Sequence, residues 1–185
     1  MFFEILKKLY WDLSWRQGRY EFWHWLCRDI PGHFGNVVRR CVLKRFFGRA
    51  GKNLLIYPGV HIRGIHNLRV GDNVFLGLNL LMNANGGIDI GDDVLIGPNV
   101  KIWSVNHNYM EISQPIHKQG FVDKPVVIEK GCWLGTSTIV LPGATVGENT
   151  IVSAGSVIIS KKYPSNIILA GNPARKIFSR GNAEK

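Results

Sequence analysis

Ile128-Glu-Lys-Gly-Cys-Trp, Leu134-Gly-Thr-Ser-Thr-Ile, Val140-Leu-Pro-Gly-Ala-Thr, Val146-Gly-Glu-Asn-Thr-Ile, Val152-Ser-Ala-Gly-Ser-Val and Ile158-Ile-Ser-Lys-Lys-Tyr follow one another without a gap, and this stretch decides the fold. Every sixth residue from 128 to 158 is Ile, Leu or Val. Four positions after each of the first five comes a small residue: Cys132, Thr138, Ala144, Thr150 and Ser156. A period of six fits neither an amphipathic helix nor an alternating strand. It fits a chain that makes a short strand, turns a corner and repeats. The aliphatic residue then points inward, the small residue sits near the corner, and Gly or Asn takes the turn dihedrals that other residues avoid. Three hexapeptides close one triangular coil, and stacked coils bury a continuous apolar column.

Working outward, the same pattern runs upstream through Ile90, Ile96 and Ile102, through Val70, Leu76 and Met82, and through Ile56, Ile62 and Leu68. Two-residue slips, from 68 to 70 and from 88 to 90, separate these blocks and predict bulged corners in an unbroken repeat. Residues 104–124 lack the period altogether and carry His107 and His117. A long irregular insertion in a strict repeat is where function is expected.

These residues resemble the hexapeptide-repeat acyltransferases, whose fold is a left-handed parallel β-helix. The galactoside, maltose, xenobiotic and surface-polysaccharide O-acetyltransferases are the nearest kin. The resemblance rests on the aliphatic-Gly repeats, on Trp133-Leu134-Gly135, on Leu141-Pro142-Gly143-Ala144-Thr145-Val146-Gly147, on Ala154-Gly155-Ser156-Val157 and on Ala170-Gly171-Asn172-Pro173-Ala174-Arg175. It covers roughly residues 53–178 and implies a mainly β chain. Three segments are expected: a helical, basic and aromatic cap over 1–50, the β-helix over 51–163 with its loop at 104–124, and a short tail over 164–185.

The 185 residues suit one domain with an appendage. No stretch reads as a signal peptide, and no run of apolar residues is long enough for a transmembrane helix. Three cysteines, Cys27, Cys41 and Cys132, have no metal-binding spacing and read as reduced thiols of a cytoplasmic protein. The net charge of +10 is uneven: residues 1–50 hold 10 Lys/Arg against 4 Asp/Glu, residues 51–160 hold 7 against 8, and residues 161–185 hold 6 against 1. No nucleic-acid motif accompanies this charge.

In the first 50 residues Phe2, Phe3, Leu6, Leu9, Tyr10 and Leu13 recur at near-helical spacing. Tyr20 to Arg28 gathers Phe22, Trp23, Trp25 and Leu26, and Val37 to Phe47 reads as a third helix with Arg39, Arg40, Lys44 and Arg45 on its polar side. Two readings stand. Such helices cap the open end of a solenoid, or they form a peripheral anchor on the inner face of a membrane, since Trp and Phe opposite Lys and Arg suit that interface.

Acetyl transfer from a thioester to an alcohol requires the alcohol to lose a proton as it attacks. A neutral imidazole is the usual base near neutral pH. The family places its base shortly after the coil preceding the long loop, which implies His107 as the catalytic residue; His117 is a lesser candidate, and His61 and His66 read as corner or surface residues. Related sugar acetyltransferases hold the acceptor near the positions of Asn83 and Asn85, although Asn85 also reads as a left-handed corner residue. Asp72, Asp92 and Asp93 read as corners. The resemblance further implies acetyl-CoA as co-substrate, lying along Trp133, Thr136, Ala154 and Gly155, with its phosphates near Lys161, Lys162, Arg175 and Lys176. It implies a homotrimer, no metal, and a saccharide or glycolipid acceptor in surface polysaccharide synthesis. A zinc site of the carbonic-anhydrase type needs histidines on following coils, and none lies beyond His117. An antibiotic-modifying transferase and a non-catalytic scaffold remain the alternatives.

Overall fold

A computed structural model describes residues 1–181; the last four residues of the expected tail, 182–185, lie outside the described part. Three helices, α1 (Phe2–Ser14), α2 (Arg16–Cys27) and α3 (Gly32–Leu43), precede about six turns of parallel β-helix. The first sheet stacks Arg49–Ala50, Leu68–Val70, Ile88–Ile90, Val126–Ile128, Thr145–Val146 and Lys162–Tyr163. The second stacks Leu55–Ile56, Phe75–Leu76, Leu95–Ile96, Trp133–Leu134, Ile151–Val152 and Ile167–Gly171, and the third stacks His61–Arg63, Leu81–Asn83, Lys101–Trp103, Ile139–Val140 and Val157–Ile158. Ala174–Ser179 then pairs antiparallel with Ile167–Gly171 and covers the far end of the second sheet.

The six-residue step positions the core. Ile56, Leu76, Ile96, Leu134, Val152 and Leu169 stand in register and are buried, and so do Ile62, Met82, Ile102, Val140 and Ile158. The small residues Cys132, Thr138, Ala144, Thr150 and Ser156 are buried beside them, as the repeat predicts. All three corners use left-handed residues, the third through Gly64, Gly87 and Gly143. Asn53, Asn73, Asp93, Asn149 and Asn166 line one corner at φ of 52–58°. There the side-chain amides bond coil to coil, Asn53 Nδ2 to Asn73 Oδ1 and Asn73 Nδ2 to Asp93 Oδ1, each 2.9 Å. Asp72 Oδ1 accepts the Lys52 N–H and Asp92 Oδ1 the Asp72 N–H, both at 2.7 Å, so these aspartates are corner residues.

The third corner, between the third and first sheets, is where chain length varies. The inward residues flanking it run from Ile62 to Val70, Met82 to Ile90, Ile102 to Ile128, Val140 to Val146 and Ile158 to Tyr163, separations of 8, 8, 26, 6 and 5 by residue number. The slips in the repeat are these widened corners. In the first, Gly64 turns left-handed and a 3₁₀ turn over Ile65–Asn67 buries Ile65. In the last, shortened corner the Tyr163 ring fills an aliphatic's place and its hydroxyl accepts the Ile159 N–H.

The open edge of the first coil is closed by side chains of α2 and α3. Gln17 Nε2 donates to Ile62 O at 2.9 Å while Gln17 Oε1 accepts the Ile65 N–H, and the Tyr20 hydroxyl accepts the Ile62 N–H. His24 Nε2 lies 2.7 Å from Val60 O. Arg39, 1% exposed, donates through Nε to Ile56 O at 2.8 Å and through its other nitrogens to Ile30 O and Asn36 Oδ1. Tyr20, Cys27, Leu43, Phe46 and Phe47 extend the apolar column into this cap. Helix α2 starts four residues before the expected Tyr20, and α3 starts at Gly32, five before Val37. The early turn of α2 lacks apolar periodicity because its buried residues are a hydrogen-bonding Gln17 and a Gly18 whose Cβ would collide with Asp12 O. Helix α1 buries none of its own residues and packs on α2 without closing the edge.

Beside His24, His61 lies on the first strand of the third sheet, away from a corner, and its Nε2 is 3.0 Å from Glu21 Oε2. Burial raises the Glu21 carboxyl, but hydrogen bonds from His61 and Gln17 outweigh it and hold the group below its ordinary range. Burial, then the neighbouring His61, pushes His24 down.

Replacing Arg39 with Ala leaves buried carbonyls without donors and should cost about 3 kcal/mol or more. A urea midpoint equal to wild type would show that the cap closes without it. Acidification should weaken the cap as well. His24 has a folded pKa below its unfolded one, so the unfolded chain binds more protons and stability falls as pH drops through about 6.5. Glu21, also lowered, acts in the same direction at more acidic pH. His24→Gln should flatten the upper part of this fall in thermal midpoints measured between about pH 7.5 and 5.5.

Candidate active site

The third sheet ends on an outward column, Arg63, Asn83 and Trp103, held in register. One residue on, Ser104 is buried; its Oγ donates to Asn83 O at 2.8 Å and accepts the Gly86 N–H at 3.0 Å, which fixes the turn holding Asn83 and Asn85. Asn83 Oδ1 accepts the Asn85 N–H. Asn85 does not take a left-handed conformation; Gly87, at φ 92°, does.

From this edge the irregular loop rises as a hairpin, Val105–His107 paired antiparallel with Phe121–Asp123. His107 stands opposite Phe121, its ring 4.5 Å from the phenyl centroid at 41°. Gln119 braces the tip through bonds to Glu111 O and Gln114 O. Hairpin and sheet edge enclose a cleft of about 650 Å³ lined by Arg63, Asn83, Asn85, Trp103, Asn106, His107, Phe121 and Asp123. The expected base and both expected acceptor residues thus share one cavity. His117 lies in the exposed 3₁₀ turn Ile116–Lys118 at the tip and does not line it, and His66 sits in the widened corner 65–67. Sequence reasoning missed Arg63, Trp103, Asn106, Phe121 and Asp123. The first two were accessible, since 63, 83 and 103 keep a spacing of 20.

The expected donor-binding residues occupy another edge. Trp133, Thr136, Ala154 and Gly155 gather at the corner between the second and third sheets, where the Gly155 N–H bonds Thr136 O at 2.9 Å. The tail returns to this corner, because the Gly171 N–H bonds Ser156 Oγ, and exposed Arg175 and Lys176 follow on the covering strand. Lys161 and Lys162 are not with them. They lie past the third sheet, on its other edge, with Lys161 Nζ 4.6 Å over the Tyr163 ring. Trp133 and Thr136 also line an apolar groove of about 680 Å³ with Tyr57, Phe75, Leu78, Leu95 and the start of α3. This groove and the His107 cleft share no lining residue.

Among the described residues one group of His, Cys, Asp and Glu brings its ligand atoms within 4.8 Å of one another, Glu21, His24 and His61. It lies in the cap, where each member already bonds within the protein. The Cys132 thiol is buried, donates to Gly147 O at 3.1 Å, and is pushed up to about 11 chiefly by burial.

Comparison with known proteins agrees with this geometry. Residues 125–160 match the model of the bacterial transferase hexapeptide (six repeats), and residues 67–103 match that of the hexapeptide repeat of succinyl-transferase. The chain is 31% identical over 168 residues to the galactoside O-acetyltransferase of Escherichia coli (strain K12), covering 90% of this chain and 77% of that protein. It is 34% identical over 146 residues to WcaF of the same organism, named a putative colanic acid biosynthesis acetyltransferase, covering 78% of this chain and 77% of that one. Among solved structures, a hexapeptide-repeat acetyltransferase from Vibrio cholerae O1 biovar eltor, complexed with acetyl coenzyme A, superposes with a TM-score of 0.81 at 25% identity over 90% of this chain and 88% of that one. A galactoside acetyltransferase in complex with coenzyme A gives 0.79 at 28% identity over 89% and 80%. Fold, repeat and relatives agree: the chain belongs to the hexapeptide-repeat acetyltransferases and is an acyltransferase.

Proposed function

We propose that this enzyme moves an acetyl group from acetyl-CoA to a hydroxyl of a saccharide, with His107 as general base, in the assembly of a surface polysaccharide. The observation that carries the reading is the shared cleft of His107, Asn83 and Asn85. The neutral His107 imidazole takes the hydroxyl proton as the oxygen attacks the acetyl carbonyl carbon. The carbon–sulfur bond then breaks, and the coenzyme A thiolate leaves and regains a proton. The Asn83 and Asn85 amides bond neighbouring hydroxyls, while Trp103 and Phe121 offer flat apolar walls to a sugar ring. Transfer is direct. Cys132, buried and with a raised pKa, is no nucleophile, and neither Cys27 nor Cys41 lines the cleft.

The donor lies along the Trp133, Thr136, Ala154 and Gly155 corner, with Arg175 and Lys176 toward its phosphates. Because that corner and the cleft occupy different edges of one prism, the reading places the reaction between subunits, the cleft of one facing the donor corner of the next, in a homotrimer. Lys161 and Lys162 then meet the phosphates only from a neighbouring copy. An outward apolar stripe on the second sheet, Leu55, Phe75, Leu95 and Trp133, suits such packing. The unpaired cysteines suit the reducing cytoplasm. A saccharide acceptor is supported by the galactoside O-acetyltransferase relative, and a polysaccharide role by WcaF.

His107→Ala should lower kcat by about 10²–10⁴-fold with an unchanged melting point; an undiminished rate of thiol release from acetyl-CoA with a sugar acceptor would remove His107 from the mechanism. Mixing His107→Ala with Ala154→Trp, each inactive alone, should restore roughly a quarter of wild-type activity after subunit exchange, because one interface in four then pairs an intact cleft with an intact corner. No recovery despite verified exchange would place both half-sites in one chain.

A further inference from the structure

Helix α1 is the least explained part of the molecule. At 100° per residue Ile5, Leu9, Phe2, Leu13, Leu6, Tyr10 and Phe3 fill a continuous arc of about 160°. Glu4, Lys7, Lys8, Asp12 and Ser14 occupy the rest with Trp11. Such an arc normally faces a core, yet no residue of α1 is buried. Phe2, Phe3 and Tyr10 are 70, 80 and 77% exposed. On α2, which packs against α1, Phe22, Trp23, Trp25 and Leu26 are exposed as well, with Phe22 edge-on to Trp23 at 6.0 Å. A water-soluble surface rarely leaves so much aromatic area without an occupant.

We propose that this aromatic face of α1, with the exposed ring cluster of α2, docks onto an anionic phospholipid bilayer. Four observations choose that occupant. The apolar residues are rich in Phe, Trp and Tyr, which settle at the headgroup boundary. Lys7 and Lys8 lie on the opposite arc of the same helix, where they reach headgroup phosphates when the helix lies in the interface plane. Residues 1–50 carry 10 Lys/Arg against 4 Asp/Glu, so the helical segment that bears the patch is cationic as a whole, although Glu4 and Asp12 balance Lys7 and Lys8 on α1 itself. Helix α1 has 13 residues, and no described helix is long and apolar enough to cross a membrane, so contact is in the plane. A second copy of the chain has another apolar surface to use, the stripe on the second sheet.

The docked face is tied to the cleft. Gln17, at the start of α2, bonds Ile62 O and the Ile65 N–H, which bracket Arg63. Arg63 lines the cleft two coil steps, about 10 Å, from Trp103.

The test is co-sedimentation of the full-length protein with phosphatidylcholine vesicles, with and without about a third phosphatidylglycerol. Wild type should bind the anionic vesicles. The triple variant Phe2→Ser/Phe3→Ser/Tyr10→Ser should lose about tenfold or more in partitioning, at an unchanged melting point because these residues bury nothing. Lys7→Gln/Lys8→Gln should lose on the order of twenty-fold and with it the preference for anionic lipid. Absence of wild-type binding, or equal partitioning of wild type and the triple variant, would overturn the proposal. So would a triple variant that changes oligomeric state in sedimentation velocity without vesicles, since the face would then belong to another copy of the chain.

Discussion

A backbone that turns a corner every six residues has to reverse its curvature locally, and this chain does so with left-handed residues: mostly Asn, Asp or Gly at two of the corners, and Gly64, Gly87 and Gly143 at the third. L-residues with a branched or bulky side chain resist that conformation, while Gly, Asn and Asp accept it. The whole triangular section depends on this. Asn53, Asn73 and Asp93 supply the dihedral and also bond one another up the stack, so the turn and the coil spacing are fixed together. With the corners held, each strand needs only one inward aliphatic residue, and two-residue strands suffice.

The ends of such a stack are exposed backbone, and the chain treats its two ends differently. At the far end the covering strand Ala174–Ser179 satisfies the second sheet by ordinary antiparallel pairing. At the near end the partners are side chains: Gln17, Tyr20, His24 and Arg39 reach down from helices that cannot themselves pair with a strand. A buried guanidinium among carbonyl oxygens suits this task, because its several N–H groups satisfy separate acceptors from one side chain. Helices α2 and α3 are therefore the cap, and α1 stands apart from it. The expectation of one helical unit over residues 1–50 did not separate these two behaviours.

What was legible in the sequence follows from range. The inward column from Ile56 to Ile158 and the buried small residues are set by local period, and each stands where the period puts it. The loop with His107 was visible as the break in that period. Phe121 and Asp123 were not, because they enter the cleft through a hairpin pairing across 13 intervening residues between His107 and Phe121 that carry no alternation. The start of α2 was hidden because Gln17 is buried for its hydrogen bonds and reads as polar. Lys161 and Arg175 looked like one cationic group along the chain. The third sheet separates them, since a coil carries neighbours in sequence to different edges.

The unequal corners have a consequence for how this scaffold accommodates change. Between the third and first sheets the chain spends 5 to 26 residues, while the other two corners keep the six-residue step. Spare length is thus confined to one edge, and that edge carries the Asn83, Trp103 and His107 cleft. Residues added or removed there shift neither the left-handed ladders nor the Thr136–Gly155 contact. The molecule divides into a ruled side, where spacing is dictated by the backbone, and a free margin, where a loop can be lengthened, shortened or exchanged like a fitting on a rail. Remodelling what the cleft admits therefore leaves the opposite corner in register.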